Sequence, residues 1–298
     1  MSGIERSNRL RRFVLAAPYL WMGVFSLVPL AIIVGISFSE AVDEAPPYAP
    51  LIDFASGGAA WRATLAAYRL LFDDSLYAAA MLNSVRIAAT ATVLCLLVGY
   101  PMAYAIARAP ASRRAVLLTL VMLPFWTSFL IRVYAWMTLL RPTGLINQWL
   151  QAAGLIVDPL PLMNNEFAVH LCIVYSYLPF MVLPLYAAIE KIDGALLDAA
   201  ADLGGRPFST FLTVTLPLSL PGIVAGALVV FIPAVGEFVI PDLVGGPDSP
   251  MIGRVLWNEF FSNRDWPTAS AVAAAMLVIL VAPIVVFQRF EDAGAGRR

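Results

Sequence analysis

Charge is scarce in this chain: 13% of its 298 residues are charged, where a soluble domain carries about 25%. Lysine occurs once, as Lys191, so a G-x4-G-K-[ST] phosphate loop cannot be written anywhere in the sequence. Histidine also occurs once, as His170, which excludes a zinc site built on a histidine cluster. The two cysteines, Cys95 and Cys172, sit inside apolar runs, where they read as small core hydrophobes and not as a disulfide framework. A net charge of −1 argues against a nucleic-acid partner, which calls for a basic surface. No Gly- or Ser-rich linker divides the chain, and no internal repeat stands out. What remains is apolar: 60% of the residues are hydrophobic, the composition of a membrane protein.

A bilayer core takes about 20 apolar residues as helix, and six segments qualify, at roughly 13–38, 79–107, 115–139, 167–189, 216–240 and 268–288. The first is too long for a secretory signal, whose apolar region spans about 7–15 residues. Every span holds at least one proline: Pro29, Pro101, Pro124, Pro179 with Pro184, Pro233 and Pro283. A proline frees a backbone carbonyl that lipid cannot satisfy, so kinks in every span suit a transport bundle. Orientation follows from the basic residues in the connections. With the N-terminus inside, Arg6, Arg9, Arg11, Arg12, Arg108, Arg113, Arg114, Lys191, Arg206, Arg289, Arg297 and Arg298 are cytoplasmic. Arg62, Arg69, Arg141, Arg254 and Arg264 are outside, and Arg86 and Arg132 are intramembrane. Both termini are then expected in the cytoplasm.

Between the first two spans, Leu65, Tyr68, Leu71 and Phe72 recur at helical spacing, which predicts an amphipathic helix at the outer surface. Asp74 or Ser75 is placed to cap the helix that follows. Between spans four and five lies "DAAADLGGRPFSTFLTVTLPL", Asp198 to Leu218. Asp198 to Leu203 suit a short helix with the aspartate near its start, Gly204–Gly205 a C-cap, and Pro207 the opening of another segment. The order Asp198-Ala199-Ala200, three residues, Gly204, nine residues, Val214, one residue, Leu216-Pro217 resembles the E-A-A…G…I-x-L-P loop of permease subunits in ATP-binding-cassette importers. Asp198 and Val214 depart conservatively from the usual glutamate and isoleucine. The resemblance implies that Asp198, Ala199, Ala200 and Gly204, with Leu216 and Pro217 closing the motif, couple the chain to an ATPase subunit.

"LPFWTSFLIRVYAWM" (Leu123 to Met137) and "VFIPAVGEFVIPDLVGGPDSPMIGRVLWNEFF" (Val230 to Phe261) are similar to the permeases of bacterial spermidine/putrescine importers, most closely the putrescine-specific kind. That similarity runs from span one to span six and is weakest around 40–65 and at the tails. It implies an all-α polytopic membrane protein with six transmembrane helices of the type I ABC importer permease fold. One permease domain is expected over 1–298, with a core bundle at 79–288 and a coupling loop at about 190–215. The implied partners are a second homologous permease, two cytoplasmic ATP-binding subunits, an extracytoplasmic polyamine-binding protein and membrane lipid. No cofactor or metal is expected.

Read from the residues, Arg86 lies about 12 Å below the outer end of span two, and Arg132 about 27 Å along span three from Arg114, if each span is a straight helix. Glu237 falls in the same outer half. Ionisable groups in spans mark pathways or pair with each other: Arg132 is a functional cation or one that snorkels to the interface, and Glu237 is a substrate carboxylate or the structural partner of such an arginine. A diamine needs carboxylates and aromatic faces, which Glu237, Asp242, Phe238, Trp126, Tyr134 and Trp136 supply in one layer. The loop with Gly245, Gly246, Pro247 and Pro250 is a binding-protein contact or a plain connection. Competing readings are a permease for another small solute, a secondary transporter acting alone, and an intramembrane enzyme using His170 or Ser176. The last two lack, respectively, a repeat and a catalytic motif.

Overall fold

The structure, a computed structural model, describes residues 15–16, 18–53, 60–247 and 250–295. Arg6, Arg9, Arg11, Arg12, Arg297 and Arg298, all used for the orientation, lie outside the described residues. In chain order the helices are α1 (Pro18–Ser37), α2 (Ala66–Asp73), α3 (Ser75–Arg108), α4 (Ala111–Met122), α5 (Phe129–Leu140), α6 (Leu145–Ala152), α7 (Glu166–Ile189), α8 (Gly194–Asp202), α9 (Pro207–Val235), α10 (Val239–Val244), α11 (Ile252–Trp257) and α12 (Trp266–Ala295). The described strands, β1 (Ile52–Asp53) and β2 (Ala60–Trp61), form one antiparallel ribbon.

Four helices, α1, α3, α7 and α9, are each long and apolar enough to cross a membrane. A bent pair qualifies as a fifth span, and α12, apolar over Trp266–Ala282 and helical to Ala295, follows in the sixth position. The expected third span is therefore not one rod. Its helix tightens to a 3-10 turn over Leu123–Trp126, Thr127 and Ser128 are extended, and Ala111–Trp126 meets Phe129–Ala152 at 85°. Within the break, Thr127 donates to the Pro124 carbonyl through its backbone N–H at 3.3 Å and its hydroxyl at 2.8 Å, so the side chain satisfies a backbone group that lipid would leave bare. The straight-helix depth of Arg132 fails with this bend.

The fifth span also differs: α9 starts at Pro207 and stops at Val235, and Gly236 to Phe238 break the chain before α10. A π turn over Phe211–Thr215 precedes Pro217. The proline ring crowds the carbonyl four residues back, and the wider turn relieves it.

The chain divides into two compact units, residues 1–78 with 256–278, and residues 79–255 with 279–298. In the first, Ser37 Oγ lies 2.8 Å from Tyr68 OH and the Phe38 ring 5.2 Å from that of Tyr68. Ala67, Tyr68 and Leu71 thus turn inward, while Phe72 is 86% exposed, so the apolar stripe expected on α2 splits between two faces. Asp74 Oδ1 accepts from Leu76 N–H at 2.8 Å and caps α3. Glu259, buried, accepts from Tyr77 OH and Asn263 Nδ2, each at 2.9 Å.

The second unit is organised by close approach of α7 to α9. Lipid tails are as apolar as leucine, so helix association there rests on van der Waals fit, and small residues permit it. Gly222 and Gly226 form that surface. A Cβ on Gly222 would lie 2.4 Å from Ala188 Cβ and 2.8 Å from the Pro184 carbonyl oxygen, and one on Gly226 would lie 2.8 Å from Met181 Sδ. On α3, Gly99 makes room for the same methionine, at 3.1 Å from Met181 Cγ. The core around Met181 includes Cys95, Tyr100, Val182, Leu185 and Val230. Gly222→Ala is expected to lower stability by about 1–3 kcal/mol through overpacking, read as a fall in the melting temperature of the purified protein in detergent. Gly23→Ala, which meets nothing within 4 Å, is the control that leaves it unchanged.

Candidate functional site

The stretch from Asp193 to Pro217 forms a helix, a turn and a second helix. The helix starts earlier than the expected Asp198: α8 begins at Gly194, and Asp193 Oδ1 caps it by accepting from Ala195 N–H at 3.0 Å. Asp198 sits in the middle of the helix and is exposed. At the other end, Gly204 N–H donates to the Ala201 carbonyl at 2.8 Å and Gly205 N–H to that of Ala200 at 2.9 Å. That pair of bonds is a Schellman cap. It needs Gly204 at φ +82°, where a side chain is strained, and Gly205 with no Cβ, since one would lie 2.6 Å from the Ala200 oxygen. The turn presents Leu203 and Phe208, 90% and 73% exposed. Leu216 and Pro217 lie beyond the π turn, inside α9 and not in a loop. Tyr100 OH, 2.8 Å from Ser219 Oγ, with its ring edge-on to Phe211 at 5.5 Å, ties the start of α9 to α3.

A second constellation gathers at the two breaks. Glu237, 8% exposed, lies just before α10. Its Oε1 accepts from Val239 N–H at 3.1 Å and Ile240 N–H at 3.4 Å, and its Oε2 accepts from Tyr177 OH at 2.6 Å. A buried carboxylate is thereby met by a helix start and a phenol. The break is backed by Gly253, whose missing Cβ would lie 2.5 Å from the Gly236 oxygen and 2.7 Å from that of Glu237. In turn Ser84 Oγ accepts from Ile252 N–H at 2.7 Å, and Asn83 Nδ2 donates to the Pro250 carbonyl at 3.1 Å. Arg86, the first intramembrane arginine, donates to Asn83 Oδ1 and pairs with Glu166.

Arg132 is placed otherwise. It is 8% exposed, its guanidinium lies 4.8 Å from the centre of the Phe125 ring and 5.7 Å from that of Phe129, and its Nε and Nη1 are buried without hydrogen-bond partners. Phe125 meets Phe180 edge-on at 4.7 Å, and Phe180 lies 6.2 Å from Tyr177. A continuous aromatic line therefore joins the buried cation to the buried carboxylate.

Of the expected pathway residues, the structure brings Arg132 and Glu237 into this line without an ion pair between them. Asp242 is half-exposed and pairs with Arg254 at 3.1 Å. Trp136 packs edge-on to Tyr175 at 5.4 Å, Phe238 is half-buried, and Trp126 and Tyr134 are 76% and 53% exposed. Sequence reasoning missed Tyr177, Phe125, Phe180 and Gly253. A signal existed for Tyr177, since a buried tyrosine hydroxyl needs an acceptor and Glu237 is the sole acid in the following span. His170 donates from Nδ1 to the Glu166 carbonyl at 2.7 Å and lies 2.6 Å from Thr90 Oγ1 through Nε2.

Apolar spanning helices, interrupted where polar side chains are buried and linked by an exposed helical turn, define a membrane transport subunit. Residues 96–292 match the family of binding-protein-dependent transport system inner membrane components. The chain is 39% identical over 283 residues to the spermidine/putrescine transport system permease protein PotB of Haemophilus influenzae, covering 95% of this chain and 94% of that one. It is 38% identical to PotB of Escherichia coli K12, covering 90% and 93%. Its fold matches a chain of a bacterial alginate ABC transporter, solved with an alginate pentasaccharide-bound periplasmic protein, with TM-score 0.67 and 19% identity over 94% of this chain and 93% of that one. The chain belongs to this family of ABC transporter permeases: it is an inner membrane component of a binding-protein-dependent transport system, not an enzyme.

Tyr177→Phe removes one hydrogen bond from a buried charge and is expected to cost about 1.5–3 kcal/mol. Thermal unfolding of the detergent-solubilised protein measures it, and an unchanged melting temperature would mean that the Tyr177–Glu237 bond contributes nothing.

Proposed function

We propose that the chain is the permease subunit of an ATP-driven importer of polyamines, putrescine first and spermidine second. The observation that carries the substrate class is the 39% identity, over nearly the whole of both chains, to a protein named as a spermidine/putrescine permease. The break at Glu237 supports it. A buried carboxylate bonded to a phenol, from which two phenyl rings continue, supplies the two features that hold an alkylammonium ion, negative charge and aromatic faces. Asp242, Phe238, Trp126, Tyr134 and Trp136 belong to the same pathway in this reading, on surfaces that the second, homologous permease covers.

Both termini and the α8 turn face the cytoplasm. There Asp198, Ala199, Ala200 and Gly204, with Leu216 and Pro217 at the base of α9, couple the chain to one of two ATP-binding subunits. The exposure of Leu203 and Phe208 on that turn supports a docking role, because apolar side chains of that size gain by being covered. On the opposite side an extracytoplasmic polyamine-binding protein delivers the solute. The domain is a single permease unit over 1–298, with its core at 79–288.

ATP-dependent uptake of labelled putrescine into vesicles holding the whole transporter tests this reading. Uptake is expected, with spermidine competing weakly. Glu237→Gln is expected to raise the KM for putrescine about 10-fold or more, the equivalent of one charge-assisted contact. Gly204→Asp, which strains the turn, is expected to abolish uptake while putrescine delivery by the binding protein persists. An assembled, ATPase-bound complex that carries no putrescine would move the assignment to another solute. Unchanged uptake in Glu237→Gln would remove the carboxylate from the pathway.

A further inference from the structure

Arg132 poses a physical problem. A guanidinium stays protonated at any physiological pH, and burying it with two N–H groups unmet is costly unless something offsets the cost. Here the offset is aromatic: Phe125, just before the break in span three, and Phe129, just after it, both lie within cation–π reach. These two rings thus hold a cation that pairs with no carboxylate among the described residues. Phe180 and Tyr177 continue from it to Glu237. An aromatic cation pocket at one end and a buried carboxylate at the other is the recognition chemistry of a diamine, and one half of it is filled by the chain's own side chain.

We propose that Arg132 is a tethered competitor: its guanidinium occupies the aromatic half of a polyamine site whose acidic half is Glu237, and a passing substrate ammonium must displace it. The inference rests on the polyamine reading above and deepens it. Its consequence is weak holding. A solute that pays to expel Arg132 binds less tightly than the aromatic pocket and carboxylate alone would allow, and a transport site must release what it receives. Displaced, the guanidinium keeps a protein neighbour, because α5 packs against α10 and its first turn is capped by Glu237.

The test is a double-mutant cycle on putrescine uptake by the assembled transporter, with Arg132→Gln, Phe125→Leu and the pair. Freeing the pocket in Arg132→Gln is expected to lower the KM about 10-fold, the factor for a site that the competitor fills about nine-tenths of the time. That gain is expected to vanish when Phe125→Leu is added, whereas Phe125→Leu alone changes KM little. Arg132→Lys, a cation with a weaker ring contact, is expected to fall between. An unchanged or raised KM in Arg132→Gln, or a gain that persists without Phe125, overturns the proposal. So does failure of Arg132→Gln and Arg132→Met to assemble, which would make Arg132 a structural cation. Glu237→Gln in the same assay separates the two readings: if it leaves uptake unchanged the polyamine pathway itself is misplaced, and if it impairs uptake while Arg132→Gln has no effect only the competitor fails.

Discussion

In a hydrocarbon layer every backbone N–H and C=O must be met by protein, and this constraint decides where polar side chains stand in the molecule. Two spans are broken, at Leu123–Ser128 and at Gly236–Phe238, and each break frees groups that lipid cannot satisfy. Thr127 answers the first from within its own turn. Glu237 answers the second by accepting from the first N–H groups of α10, while Tyr177 and the bare backbone of Gly253 close around it. The break, the carboxylate and the rings are therefore one arrangement. The same residues that keep the backbone satisfied place negative charge and aromatic faces inside the bundle.

Support for that arrangement reaches along α3. Ser84 and Asn83 hold the 250–252 strand of chain that carries Gly253, and Arg86 is spent on Asn83 and Glu166. One intramembrane arginine is thus structural, and the other is left on two phenyl rings. At the other end of α9, the Gly204–Gly205 turn closes the exposed helix α8, and the bond between Tyr100 and Ser219 ties α9 to α3. Between α8 and the break that holds the carboxylate runs α9, whose Gly222 and Gly226 pack closely against α7.

Much of this was legible in the sequence, and what was missed has physical causes. Apolar length located the spans, and the Gly204 turn with Pro207 after it read correctly because a left-handed residue and a missing N–H leave direct marks. Asp198 was expected near the start of its helix, but the helix begins four residues earlier, at Gly194, with Asp193 as its cap, because apolar and small residues before Asp198 continue the helix without a local mark. The straight-helix distance from Arg114 to Arg132 does not hold, because hydropathy cannot tell a straight span from one bent by 85°. Glu237 stood out as a lone acid, but its bond to Tyr177 joins residues 60 positions apart, which no local pattern encodes. The pairing of Glu237 with Arg132 looked natural by charge; the structure instead puts three rings between them.

A break at Glu237 that lines a path for a cationic solute, and is not merely a satisfied kink, must be reachable from water during transport. A single cysteine at position 237, in a chain with Cys95→Ala and Cys172→Ala and assembled with its partners, is exposed to a membrane-impermeant, positively charged thiol reagent during ATP turnover. The expected result is labelling that putrescine slows. No labelling in any nucleotide state, in a complex that still hydrolyses ATP, would show position 237 sealed in the protein and rule out a solute path there.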